Sequence, residues 1–195
     1  MQRTFLVLAV GLLFSASVFA QNAATETQRD TNQQNRVEQG LKSGQLTTKE
    51  AGTLERDEQH IDRTQARDMK NGSLSAQEKA QIQHEQNQAS RQIYQDKHNV
   101  ATGNPDSKSS ERMQADVQRN ANQQARINQG VRSGQLSDHE AGALERGQAH
   151  VDRSEANAAR NGRVGAREQA RTQGKENHQS GRVYRKKHND TTSGG

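Results

Sequence analysis

The sequence predicts an all-α fold: two tandem copies of a three-helix unit with capped glycine turns, loosely packed and joined by a flexible linker. Three observations predict it. The stretch from Ser43 to Arg56 returns ninety positions later as Ser133 to Arg146. Around it, residues 28–98 align with 118–188 without a gap and are identical at 33 of 71 positions. Between the turn signals the chain is filled with Gln, Glu, Arg, Lys and Ala, which favour helix, while β-branched and aromatic residues are too few for strands.

The elements follow in order. Residues 1–20 have the form of a signal peptide: Arg3 gives a positive start, Phe5 to Phe14 an apolar run, and Val18-Phe19-Ala20 a small-residue cleavage pattern, with cleavage expected after Ala20. The run is too short for a membrane span. Without cysteine there is no lipobox and no disulfide. All three Phe leave with this segment, so Tyr94 and Tyr184 are the only aromatic residues of the mature chain, and mean hydropathy is −1.24.

Residues 21–27 are a polar lead. In repeat one, 28–98, the first helix is expected from about Asp30 to Lys42, with Val37 and Leu41 one turn apart. Gly44 closes it, because glycine adopts the positive φ of a helix C-terminus. Leu46 then precedes a capping box of Thr47 and Glu50, which opens a second helix carrying Ala51, Leu54, Ile61 and Met69 on one stripe. Asn71-Gly72 ends it. A second box, Ser75 with Glu78, starts a third helix with Ile82, Ala89 and Ile93, ending near His98. A stripe this narrow suits helix pairing rather than a broad core-facing surface.

Residues 99–117 read as a linker and the start of a helix, from Gly103, Pro105 and Ser107. Repeat two, 118–188, repeats the scheme, but the cap Ser75 is replaced by Gly165, and Gly174 and Gly181 enter its last helix, so it is expected to be the floppier half. Residues 189–195 are expected to form a disordered tail.

Repeat one holds ten large apolar residues and repeat two eight. Such a small apolar content predicts marginal helices that work through their outer surface. The copies also differ in charge: repeat one has eleven basic and eleven acidic residues, repeat two fourteen and seven.

Enzymatic function is not expected. There is no cysteine and no Gly-x-Ser-x-Gly elbow, and pairs such as Glu55 and Asp62 are read as lying on exposed helix faces, where pKa values stay ordinary. Three binding features stand out. Gly44, Leu46 and Glu50, and their copies Gly134, Leu136 and Glu140, resemble the second half of an EF-hand loop, although Gln39, Leu41 and Ser43 stand where calcium ligands belong. His60 with Asp62, and His150 with Asp152, could hold a weak divalent metal; no other cofactor is expected. Arg182, Tyr184, Arg185, Lys186 and Lys187 form the densest basic run, suited to an anionic envelope surface rather than to a specific nucleic acid. The stripe of Leu54, Ile61 and Met69 is expected to meet protein clients or a second copy.

Two family resemblances rest on these motifs. Asn35-Arg36-Val37-x-x-Gly40-Leu41-x-Ser43-Gly44-x-Leu46-Thr47-x-x-Glu50, closing on Tyr94-x-x-Lys97-His98-Asn99, resembles a recurring type of exported bacterial helical-repeat protein that brings no activity with it. Leu46-Thr47-x-x-Glu50 and Leu74-Ser75-x-x-Glu78 are similar to the Leu-Thr-x-x-Gln elements of Spy-like periplasmic chaperones. That resemblance implies a small α-helical dimer whose basic cradle holds unfolding clients under envelope stress. In composition alone the chain is similar to hydrophilins. The expectation is therefore a non-enzymatic periplasmic or secreted protein, not membrane-spanning once its leader is removed, protecting the envelope through weak client or partner contacts. The alternatives are degenerate EF-hand-type metal binding and polyanion binding through repeat two.

Overall fold

The computed structural model describes residues 17–189. It is helical in two halves of three, as the repeats require: α1 (Ser17–Lys42), α2 (Thr48–Asp68) with a 3-10 turn at Met69–Asn71, α3 (Ala76–Lys97), α4 (Lys108–Arg132), α5 (Asp138–Ala159) and α6 (Ala166–Lys187). No strand occurs among the described residues. The expected leader lies outside them except where α1 begins at Ser17, as does the tail beyond residue 189. No described helix is long and apolar enough to cross a membrane.

The turns form as their residues dictate. Gly44 and Gly134 both sit at φ +72°, a conformation that strains any residue with a Cβ. Thr47 and Glu50 bond reciprocally: the Glu50 amide donates to Thr47 Oγ1 at 3.2 Å, and the Thr47 amide donates to Glu50 Oε2 at 2.8 Å. The Ser75–Glu78 and Ser137–Glu140 boxes repeat this. At Gly165 only the return half survives, its amide donating to Glu168 Oε2 at 2.8 Å. Helix α6 nevertheless runs unbroken through Gly174 and Gly181.

The halves do not stand apart. Helices α1, α2, α4 and α5 form a four-helix centre in which α1 lies against α4 and α2 against α5, while α3 covers α1 and α2 and α6 covers α4 and α5. Both close pairs are antiparallel. Gly52, early in α2, faces Ala159 at the end of α5, and Gly142, early in α5, faces Met69 just past α2. The start of α1 shares an apolar cluster with the end of α4 (Ala23 and Ala24 with Ile127 and Val131). The end of α1 shares the other with the start of α4 (Val37 and Leu41 with Met113 and Val117). Each cluster draws on both repeats, and the clusters cap the two ends of the bundle.

This arrangement corrects three expectations. The stripe of Leu54, Ile61 and Met69 is at most 1% exposed, because the partner its narrowness called for is the chain's other half. The packing is tight rather than loose: Leu41, Ile82, Ile93, Met113 and Ile127 are fully buried. The segment before α4 is no free tether either. The Gly103 amide donates to the Gly44 carbonyl at 2.8 Å, and Asn99 Nδ2 to Glu50 Oε1 at 2.8 Å.

The glycines of the α2–α5 contact give a direct test. A Cβ at Gly52 would lie 2.5 Å from that of Ala159, and one at Gly142 2.7 Å from that of Met69. Alanine normally stabilises a helix interior by about 1 kcal/mol over glycine. Here Gly52→Ala and Gly142→Ala are expected to destabilise by about 1–3 kcal/mol through overpacking. Gly174→Ala, with nothing within 4 Å of the new Cβ, should stabilise instead. Thermal melts of the three variants separate the outcomes.

Candidate metal centre

Between the two apolar clusters the core is polar. Helix α2 turns Glu55, Glu58, Asp62 and Gln65 inward, at a spacing of three or four that keeps them on one face. Helix α5 does the same with Glu145, Gln148, Asp152 and Glu155. Asp30 and Gln34 enter from α1, and Asn120 and Gln124 from α4. All twelve are at most 2% exposed.

The carboxylates gather in two triplets. Asp30, Asp62 and Glu145 each bring an oxygen to within 4.8 Å of the others, and so do Glu55, Asp152 and Glu155. Buried amides fix their orientation. Gln34 Nε2 donates to Glu55 Oε2 at 2.9 Å, and its copy Gln124 donates to Glu145 Oε2 at 3.0 Å and to Asp62 Oδ1 at 3.3 Å. Gln65 Nε2 donates to Asp30 Oδ2 at 2.7 Å, with Gln86 Nε2 on the other oxygen at 2.7 Å. In repeat two the Gln65–Asp30 link is reversed: Asn120, the copy of Asp30, donates to Glu155, the copy of Gln65, at 3.4 Å, and to Asp152 Oδ1 at 2.6 Å.

Five of the six triplet carboxylates thus have one oxygen held by an amide, while the other (Glu55 Oε1, Asp62 Oδ2, Glu145 Oε1, Asp152 Oδ2, Glu155 Oε1) meets no donor. Glu58, also buried, has a donor at neither oxygen. Among the described residues no Lys, Arg or His is buried. Cations stand at the periphery: Arg119 pairs with Glu176 at 3.0 Å, and Arg29 lies close enough to Asp30 to act on its charge.

Burial of so many acids without counter-charge pushes their pKa values up. Loss of hydration raises Asp30 and Glu55 to about 7. Glu58, Asp62, Glu145, Asp152 and Glu155 rise well above the ordinary carboxylate range, first from burial and then from one another. Further out, burial raises Asp116 to about 7 and Glu176 to about 8. A dry cluster of this kind is stable only if it holds protons or cations.

The site residues expected from sequence separate. Asp62 and Asp152 enter the centre, but His60 and His150 point outward, His60 to a position 3.7 Å from Glu85. The expected His–Asp pairs are therefore not ligand sets: residues two apart on a helix face different ways. The acids of the EF-hand-like turns are engaged within the protein. Glu50 Oε2 is taken by Thr47 and Oε1 by Asn99; Glu140 is likewise engaged by Ser137 and Asn189. Gly44 and Gly134 shape the turn, while Leu46 and Leu136 pack into the two apolar clusters. Of the basic run, Arg182 donates to the Ala143 carbonyl at 2.6 Å, Lys187 to Gln129 at 3.0 Å, and Lys186 pairs with Glu140 at 3.6 Å. Tyr184 is exposed and stacks on His188. Most of that cationic charge is tied to the bundle, leaving Arg185 with Tyr184 on the outer face. Glu55 and Asp62, taken for exposed, are buried.

The chain matches no family model, no curated protein and no solved structure.

Proposed function

We propose that this chain is a non-enzymatic ion-holding protein that takes up hard divalent cations in the interior of its helical bundle. One observation carries the reading: buried carboxylates with one oxygen pinned by an amide and the other turned, without a donor, toward its neighbours. That is the arrangement in which an outer shell orients ligands for a metal. The donor set is oxygen alone, with carboxylates and buried Gln carbonyls and neither imidazole nor thiolate, and this favours calcium, manganese or magnesium over zinc or copper. With residues 1–20 acting as a leader, the ion would be held outside the cytoplasm. Client binding through the apolar stripe has lost its surface to the core.

Equilibrium dialysis of the chelator-stripped protein against manganese at pH 7.5 tests the reading. Retained manganese, released on lowering the pH to 5 and abolished in the Asp62→Asn/Asp152→Asn double variant, is the expected result. A folded parent protein that retains no manganese, calcium or magnesium would end it.

A further inference from the structure

Resting on the ion-binding reading, we propose that the two triplets form a single two-ion centre whose ligands are crossed between the repeats and whose ions adjoin through Asp62 and Asp152. Each triplet is mixed. Asp30 and Asp62 of repeat one are completed by Glu145 of repeat two; Asp152 and Glu155 of repeat two are completed by Glu55 of repeat one. The internal two-fold that relates the copies carries Asp62 onto Asp152 and Glu145 onto Glu55.

The third ligand breaks the symmetry in a compensated way. Repeat one has Asp at position 30 and Gln at 65; repeat two has Asn at 120 and Glu at 155. Had the copies stayed identical in the first form, each triplet would take its third acid from α1 or α4. Instead acid and amide have changed places in one copy, and both triplets still hold three carboxylates, with the exchanged amide bonded to the exchanged acid in each. A protein needing only a polar core has no reason to keep that count equal on the two sides.

The triplets also touch. The Asp62 and Asp152 carboxyl groups lie within hydrogen-bonding reach of one another, as do those of Glu55 and Glu155. Glu58 is 2% exposed, has no donor at either oxygen, and is acted on by Asp30 of one triplet and by Glu55 and Asp152 of the other. It is a seventh buried acid beside the two triplets. A single divalent ion leaves most of these seven acids in mutual contact without a cation, whereas two ions neutralise the majority. Oxygen ligands within 4.8 Å of one another suit metal–oxygen bonds of about 2.3–2.6 Å.

The test loads the full chain with manganese at pH 7.5, counts ions per chain by native mass spectrometry and records the electron paramagnetic resonance spectrum. Two manganese ions per chain with an exchange-coupled spectrum are expected. Glu145→Gln and Glu55→Gln, isosteric changes aimed at opposite triplets, should each leave one ion and a spectrum of isolated manganese, with helicity unchanged by circular dichroism. Two ions with an uncoupled spectrum, or one ion in the parent chain, would overturn the two-ion centre while leaving ion binding intact. No ion at all would remove both. The count and coupling in the parent chain decide the matter even where a variant fails to fold.

Discussion

The ion-free protein should lose stability as the pH rises from 5 to 8, the reverse of ordinary acid denaturation, and a saturating divalent cation at pH 8 should restore it. In the unfolded chain the core acids titrate near 3.8 to 4.5. In the folded chain burial lifts Asp30, Glu55 and Asp116 to about 7 and Glu176 to about 8, with Glu58, Asp62, Glu145, Asp152 and Glu155 raised well above the ordinary range. The folded state therefore holds protons that the unfolded state has already released. Its full stability is present below about pH 4 and is lost as the pH passes through the raised values. With several acids contributing, a loss of several kcal/mol corresponds to a drop in melting midpoint on the order of 10 °C or more for a chain of this size. Cation binding replaces those protons, so loading at pH 8 should release protons and recover the midpoint. An ion present at a hundred times its dissociation constant adds about 2.7 kcal/mol. Calorimetric melts at pH 5, 6.5 and 8, with and without manganese, check this. A midpoint that rises steadily with pH in the stripped protein would contradict the buried acid core.

Glu58→Gln should make the ion-free protein more stable at pH 8 and the ion-loaded protein weaker. Glu58 is buried, meets no donor and feels four other acids, Asp30, Glu55, Asp152 and Asp57, so its ionised form is destabilising. Replacing an uncompensated buried charge with an amide of the same shape removes that penalty, worth about 1–3 kcal/mol. The fold already accommodates glutamine there, since Gln148 holds the copied position and donates to Asn120 at 2.5 Å. At pH 5, with Glu58 protonated, parent and variant should melt together. At pH 8 the stripped variant should melt several degrees higher, and saturating manganese should narrow or invert the difference. A variant that lowers the midpoint at every pH, loaded or not, would reduce Glu58 to a packing residue.

Much of the fold was legible in the residues. The boxes at Thr47–Glu50 and Ser75–Glu78 and the glycines at 44, 72 and 134, with the repeat carrying the scheme into the second copy, placed the described turns between helices within each repeat, because capping chemistry is local. The start of α1 was not. Ahead of the expected start at Asp30, α1 buries Ala23, Ala24 and Thr27 beside α4 and Glu26 beside α3, and two alanines among polar residues give no apolar period. Nor was the interlocking of the repeats. Gly52 and Gly142 allow it by letting α2 and α5 approach, but a glycine inside a helix is otherwise read only as a weakness.

The polar core was hidden for a different reason: apolar periodicity finds faces that water repels, and a buried carboxylate face held by amides has no such signature. One trace was present. Between the copies Asp30 becomes Asn120, Glu58 becomes Gln148, Gln65 becomes Glu155 and Gln86 becomes Glu176. Exchanges between acid and isosteric amide at helical spacing keep shape while altering charge, which is what a buried site permits and a solvated surface has no need to preserve.

The grouping of acids from both repeats bears on how the molecule comes into being. A ribosome makes this chain from α1 onward, and one cage lacks Glu145 while the other lacks Asp152 and Glu155 until α5 has emerged. If the proposed ligation holds, no shorter nascent product would close around an ion, and neither copy severed from its sibling would retain three carboxylates at one place. Capture of the ion and completion of the tertiary structure would then be one event, postponed until most of the polypeptide exists.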